Sequence, residues 1–298
     1  MTKIVPLPAS IALAVLVACT AAVLTAVPSV GQTEPVTLVG AGDIASCSQN
    51  NDRATAKLLL RRPGTVFTLG DNAQGKGTWS EFKNCYRSTW GKYKIRTMPS
   101  VGNHEYATAG AKPYFTYFGA RAGTPGKGYY SYDRRAWHIV VLNSNCDQVG
   151  GCGRRSPQGR WLRNDLANNP SRCTLAYFHH PLYASGTHSD TPEVKPFWKI
   201  LYNRGADVIL SGHAHRYERF RPITSNGKPS ANGIRQFIVG TGGEPGGKQY
   251  GPNDPNMQVK NRNTPGVLKL TLRAGSYSWK FVPIAGKTFT DSGSDECH

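Results

Sequence analysis

The sequence predicts an α/β fold, a sandwich built on mixed sheets. Two observations carry this. Short apolar runs alternate with segments of helical spacing through most of the chain, and the later part is rich in strands alone. The apolar runs also end in polar turns that contain Gly, as strands do when they feed loops.

Taken in order, residues 36–42 read as a buried strand. Residues 52–62 have helical spacing, with Ala54, Ala56, Leu58, Leu59 and Leu60 as the apolar positions. Strands follow at 65–70 and 97–102, with a helix over 78–92 between them. The runs 129–133 and 137–143 suggest an antiparallel pair. Next come a helix over 157–168, a strand over 174–178, a helix over 193–203 and a strand over 206–211. The runs 236–240, 266–273 and 277–283 complete the strands. The folded domain is expected over 36–285, and the polar tail 286–298 is expected to be loose unless Cys297 ties it down.

At 298 residues and 39% hydrophobic, the chain can bury a large core. Its start is a different material. Lys3 is the only charge before Glu34, and residues 11–27 are apolar apart from Thr20 and Thr25. Residues 1–31 read as a secretory signal, cleaved near 26–32. The run is short for a membrane span, so no transmembrane segment is expected in the mature chain. Leu16-Val17-Ala18-Cys19 also resembles a lipoprotein processing site, although apolar residues continue beyond Cys19.

Outside that segment stand six cysteines: Cys47, Cys85, Cys146, Cys152, Cys173 and Cys297. An even set in an exported chain implies disulfides, and none has zinc-finger spacing. Six cysteines allow fifteen pairings. Cys146–Cys152 closes a tight Gly-rich loop, which leaves Cys47–Cys85 and Cys173–Cys297 as one way to pair the rest.

The formal charge of +18 speaks of partners, not of fold. It attracts polyanions non-specifically and steers phosphate substrates. The basic residues are scattered, with no Lys/Arg run of five or more, so no specific nucleic-acid partner is expected.

The chemistry lies where the turns fall. Five apolar strands end in Gly42-Asp43, Gly70-Asp71-Asn72, Gly102-Asn103-His104-Glu105, His179-His180-Pro181 and Gly212-His213-Ala214-His215. Each carries a metal-ligand residue type, and sites in α/β sheets gather at the carboxyl ends of strands. Any one alone is more often an ordinary turn. Together they supply what two cations about 3.5–4 Å apart require for phosphoryl transfer. A carboxylate, Asp71, offsets the repulsion between the cations, and imidazoles and an amide complete the shells. The cations lower the pKa of bound water and make hydroxide available as nucleophile.

This ordered set resembles the calcineurin-like metallophosphoesterases and, within them, the purple acid phosphatases. The resemblance spans 36–283, with its specific motifs between Asp43 and Arg219. It implies a four-layer αββα sandwich and a two-metal centre of iron, zinc or manganese. It implies that Asp43 and His215 bind the first metal, that Asp71 bridges, and that Asn103, His179 and His213 bind the second. His104 is similar to the histidine that contacts phosphate and protonates the leaving oxygen. His180 has no ligand position in that pattern and reads as a pocket or packing residue. Tyr217, Glu218 and Arg219 read as support for the His pair.

Two positions depart from the pattern. Many members carry His two residues after the first Asp, where this chain has Ala45. Purple acid phosphatases carry a Tyr ligand three residues after the bridging Asp, where this chain has Gln74. The tyrosinate colour should therefore be absent, and Gln74 or water fills the gap. The expected activity is secreted phosphomonoester hydrolysis. The alternatives are a phosphodiesterase or nuclease acting on an anionic polymer, and a phosphate-binding protein weakened at the first metal.

Overall fold

The computed structural model describes residues 1–2, 34–186, 191–244, 246 and 251–298. Apart from its first two residues, the expected signal segment lies outside these, and so does Cys19. Among the described residues no helix is long and apolar enough to cross a membrane.

Two mixed sheets form the centre. The first comprises β1 (Val36–Ala41), β2 (Thr65–Leu69), β3 (Thr97–Ser100), β11 (Gly266–Arg273), β12 (Ser276–Pro283) and β13 (Ser292–Glu296), in the order β13-β12-β11-β1-β2-β3. The second comprises β4 (Tyr130–Arg134), β5 (Trp137–Val141), β6 (Cys173–Tyr177), β7 (Val208–Ser211), β8 (Tyr217–Phe220), β9 (Arg235–Val239) and β10 (Met257–Asn261), in the order β10-β8-β9-β7-β6-β5-β4. The runs β1-β2-β3 and β5-β6-β7-β9 are parallel, and antiparallel strands flank both.

Period-two alternation builds the layers. In β5, Ile139 and Val141 face the other sheet and join one core with Leu38, Phe67, Leu175, Tyr177, Leu210, Phe237 and Leu270. Val140 and Leu142 face outward and pack with Leu162, Phe197, Trp198 and Leu201 of the helices Pro157–Asn168 and Lys195–Tyr202. On the far side, α1 (Asn51–Leu60) packs against β11 through Ala56 and Leu59. Strands covered on both faces are mostly apolar, and β2, β5 and β6 are buried at every residue, their few polar side chains included. The result is the expected four-layer αββα sandwich.

Local chemistry sets the ends of elements. α1 stops ahead of Pro63-Gly64, and the Arg96 guanidinium donates to the carbonyls of Leu59, Arg62 and Gly64 at and just beyond its end. The helix expected over 78–92 begins with a capping box between Thr78 and Glu81. It then widens into a π turn at Phe82–Tyr86 and returns as a 3-10 turn at Trp90–Arg96. The short helices Asn103–Tyr106 and Lys112–Phe118, and strands β8 and β10, gave no sequence signal.

The tail is not loose. Ser292–Glu296 extends the first sheet as β13, and Cys297 is bonded to Cys173. Asp291 holds the approach to β13. It accepts from Tyr217 Oη at 2.6 Å, Arg219 Nε at 2.8 Å and Trp279 Nε1 at 3.1 Å. Tyr217 and Arg219 thus anchor the tail rather than the His pair, while Glu218 takes the buried Arg216 guanidinium at 2.7 Å. The disulfides are Cys47–Cys85, Cys146–Cys152 and Cys173–Cys297.

A buried ionic cluster sits far from these turns. His138 on β5 lies 2.8 Å from Asp133 Oδ1 and 2.9 Å from Asp165 Oδ2. Burial alone would lower its pKa, but the bonds and charges of Asp165 and Asp133 outweigh this and raise it. A raised histidine pKa contributes stability below the unfolded value of about 6.5 and loses it as pH rises through the folded value. His138→Gln should therefore cost more stability at acidic than at alkaline pH. Urea unfolding of both proteins across that range checks this, and a pH-independent difference contradicts it.

Candidate metal centre

The six residues come from the carboxyl ends of five strands in two sheets. Asp43 follows β1, Asp71 follows β2, Asn103 follows β3, His179 follows β6, and His213 and His215 follow β7. The site therefore straddles the seam between the sheets. Gly42 N–H donates across that seam to Val239 O at 2.8 Å.

The backbone bends hard to get there. Asp43, Asp71 and His213 have φ of 57°, 48° and 67°. Among the described residues only two other non-glycine positions, Ala111 and Arg135, are left-handed. Such positions cost roughly 1–3 kcal/mol each and persist only where the surroundings enforce them. The glycines make room: a Cβ on Gly70, itself at φ 78°, would lie 2.5 Å from the His179 ring, and one on Gly102 would lie 2.1 Å from Asp71 Oδ1.

The side chains converge. Asn103 Oδ1 lies 2.8 Å from His179 Nε2 and 3.1 Å from His213 Nδ1, and these two nitrogens are 3.2 Å apart. Asp71 Oδ2 lies 3.2 Å from His179 Nε2. The His179 Nδ1 proton is committed to Leu69 O at 2.7 Å, so in the neutral ring Nε2 is a lone pair. It points at Asn103 Oδ1 and Asp71 Oδ2. Turning the Asn103 amide would relieve one of these contacts but not the carboxylate. Asp43 Oδ2 accepts from His213 N–H at 2.9 Å. Asp43 Oδ1 is buried, accepts no hydrogen bond, and lies 3.5 Å from His215 Nε2. Crowded lone pairs and a stranded buried carboxylate oxygen are costly without a positive charge between them.

Ligand-type atoms of Asp43, Asp71 and His179 all lie within 4.8 Å of one another, and so do those of His179, His180 and His213. These groups could hold two adjoining cations, with His179 common to both and Asp71 Oδ2 3.2 Å from its Nε2. The titration of the bare side chains shows the same demand for positive charge. Burial favours a neutral Asp71, yet the charges and bonds of His179 and His104 pull its pKa well below the carboxylate range. Burial opposes charge on His179, yet Asp71 and Asp43 push it up to about 9.

The neighbours hold this geometry. His104 N–H donates to Asp71 Oδ1 at 2.9 Å. The His104 ring is 35% exposed, with Nδ1 on Gly75 O at 2.7 Å and Nε2 3.9 Å from Asp71 Oδ2. His180 is a pocket residue. Ser144 Oγ lies 2.9 Å from its Nδ1 and accepts its N–H at 3.0 Å, while its ring packs on His213. Burial and the His179 charge lower the His180 pKa to about 3, so it stays neutral.

Sequence reasoning missed two supports. Glu105 is fully buried and accepts from Gly102 N–H at 2.7 Å, Asp71 N–H at 3.0 Å and Ala73 N–H at 3.1 Å, which clamps two ligand turns together. Burial and the Asp71 charge raise its pKa to about 7, against those backbone donors. The other is Asn143-Ser144-Asn145, a further turn at the end of a buried strand, β5. It fitted the strand-end pattern but lacks a strong metal-ligand type.

Two sheets meeting at a cluster of acceptors define an α/β sandwich with a candidate metal site at its seam. Residues 36–217 match the family model of the calcineurin-like phosphoesterases, and the chain belongs to that family. It is similar to purple acid phosphatase 15 of Arabidopsis thaliana, 24% identical over 81% of this chain and 51% of the relative. Purple acid phosphatase 18 of the same plant is 29% identical over 54% of this chain and 39% of its own. The chain thus spans about half the length, or less, of these relatives. In fold it resembles the yellow lupin purple acid phosphatase PPD1, with a TM-score of 0.73, 19% identity and coverage of 89% of this chain and 54% of that one. GAP50 of the Plasmodium inner membrane complex gives a TM-score of 0.69 at 12% identity, with 89% of each chain covered.

Glu105→Gln places an amide NH2 against backbone N–H donors. Metal affinity should fall by about 10–100-fold, as for other partners one step outside a metal's ligands. Competition titration against a chelator measures this, and unchanged affinity would contradict the clamp.

Proposed function

We propose that this protein hydrolyses phosphate monoesters at a two-metal centre, outside the cytoplasm. Asp43 and His215 would hold one metal and Asn103, His179 and His213 the other, with Asp71 shared by both. The observation that carries this is the set of ligand-type side chains, Asp71 among them, that five strand ends bring to one seam. Bound metals supply charge for the phosphate oxygens and a water acidic enough to ionise near neutrality. The protein supplies position. The strained turns fix the ligands before substrate arrives, so little reorganisation is left for the reaction. His104 is the acid. Its Nδ1 proton rests on Gly75 O, which leaves Nε2 to carry a proton to the departing oxygen.

Two cavities flank the centre. One, of about 400 Å³, is lined by Asn103, Tyr106, Ser144, Asn145, His180 and Glu193 among others. It borders the turn that carries His104, so it takes the leaving group. Its lining also includes Asp147 and, among the described residues, has no Lys or Arg, which favours a neutral polar alcohol over a second phosphate. The other, of about 270 Å³, reaches His215 and includes Arg262 and Lys287. That pair favours a second reading, attack on a diester within an anionic polymer.

Export is supported by the three disulfides, which persist in oxidising compartments. N-terminal sequencing of secreted protein tests cleavage near 26–32.

Hydrolysis of an aryl phosphomonoester should exceed that of the matching diester, and the reverse ranking favours the polymer reading. Asn103→Ala and His213→Ala should each lose more than about 100-fold, since even outer partners cost 10–100-fold. Persistence of activity in both would exclude the two-metal reading. His104→Asn should slow esters of poor leaving groups by about 10²–10⁴-fold and spare those of good ones. Equal losses on both would remove His104 as the acid.

A further inference from the structure

The two departures at positions 45 and 74 lie side by side. Gln74 N–H donates to Ala45 O at 2.9 Å, and Ala45 bridges Ala73 in parallel pairing. Gln74 is 7% exposed. Its amide nitrogen lies 3.2 Å from His215 Nε2, and its amide oxygen is buried without a hydrogen bond. Asp43 Oδ1, 3.5 Å from the same His215 Nε2, is buried without one too. Two acceptors are therefore stranded beside one imidazole nitrogen.

A half-turn of an amide exchanges its oxygen and nitrogen at almost no change in shape. A cation on Asp43 Oδ1 would draw the His215 Nε2 lone pair, and the Gln74 NH2 would then have no acceptor there. The half-turn then presents the Gln74 oxygen to the cation. One positive charge resolves both stranded acceptors.

We propose that Gln74 Oε1 is a ligand of the first metal, beside Asp43, Asp71 and His215, and that this half of the centre takes a divalent ion in place of ferric iron. The inference rests on the two-metal reading above. Its chemical reason is charge. A neutral amide oxygen leaves this half with two carboxylates, one of them shared, against the charge of a trivalent ion. Carboxylate and carbonyl oxygens suit hard divalent ions such as Mn²⁺.

The test is metal content and colour, read without turnover. Wild-type protein, Gln74→Ala, Gln74→Glu and Gln74→Tyr are each loaded with Mn²⁺ or ferric iron, washed through a graded chelator and measured by elemental analysis and visible spectroscopy. Wild type should keep two Mn²⁺ per chain and stay colourless with ferric iron. Gln74→Ala should hold one Mn²⁺ as tightly as wild type and the other about 10–100-fold more weakly. Gln74→Glu should keep both, and Gln74→Tyr should colour on ferric loading, which also shows that a side chain at 74 reaches the metal. Two equally tight Mn²⁺ in Gln74→Ala would overturn the ligand role while leaving the two-metal reading intact. Colourless ferric-loaded Gln74→Tyr would likewise overturn it. Fewer than two Mn²⁺ in wild type would overturn both.

Discussion

The structure is organised around a shortage of positive charge. At the seam of two sheets, Asp71, Asp43, Asn103 and three imidazoles bring ligand-type atoms to between 2.8 and 3.5 Å of one another. Protons satisfy only part of this, because the His179 Nδ1 proton is already spent on Leu69 O. Cations satisfy it fully. A folded chain that keeps such an arrangement buried stores an unfavourable energy that metal binding releases, so affinity and geometry are built together.

The scaffold holds this arrangement through neutral, directional contacts as much as through charge. Glu105 joins the turns after β2 and β3 by three backbone donors, and Gly42 N–H ties β1 to β9 across the seam. Ser144 and His180 brace the His213 ring from the second sheet. Away from the site, the tail closes the far edge of the first sheet as β13, held by Asp291 and the Cys173–Cys297 bond.

Much of this was legible in the sequence because the signals were local. An apolar strand ending in a ligand type, in most cases after Gly, needs no tertiary knowledge, so the sequence could single out Asp43, Asp71, Asn103, His179 and the His213–His215 pair, which the fold brings together. Glu105 was less legible. Its role is set by which backbone N–H groups happen to face it, and nothing along the chain states that. The tail was half legible: Cys297 was the condition named for holding it and does hold it, but the strand β13 was not foreseen. Residues 286–298 are polar, but β13 is an edge strand that needs few apolar residues, and its hold on the fold comes from Asp291 and Cys297. The YER triplet was legible as structural, although Tyr217 and Arg219 brace the tail and only Glu218 works near the His pair, through Arg216 beside His215.

The most direct measurement of the central claim is anomalous diffraction from metal-loaded crystals. The account places two peaks, one beside Asp43, Gln74 and His215 and one among Asn103, His179 and His213, with the Asp71 carboxylate between them. A single peak, or peaks remote from Asp71, would contradict it.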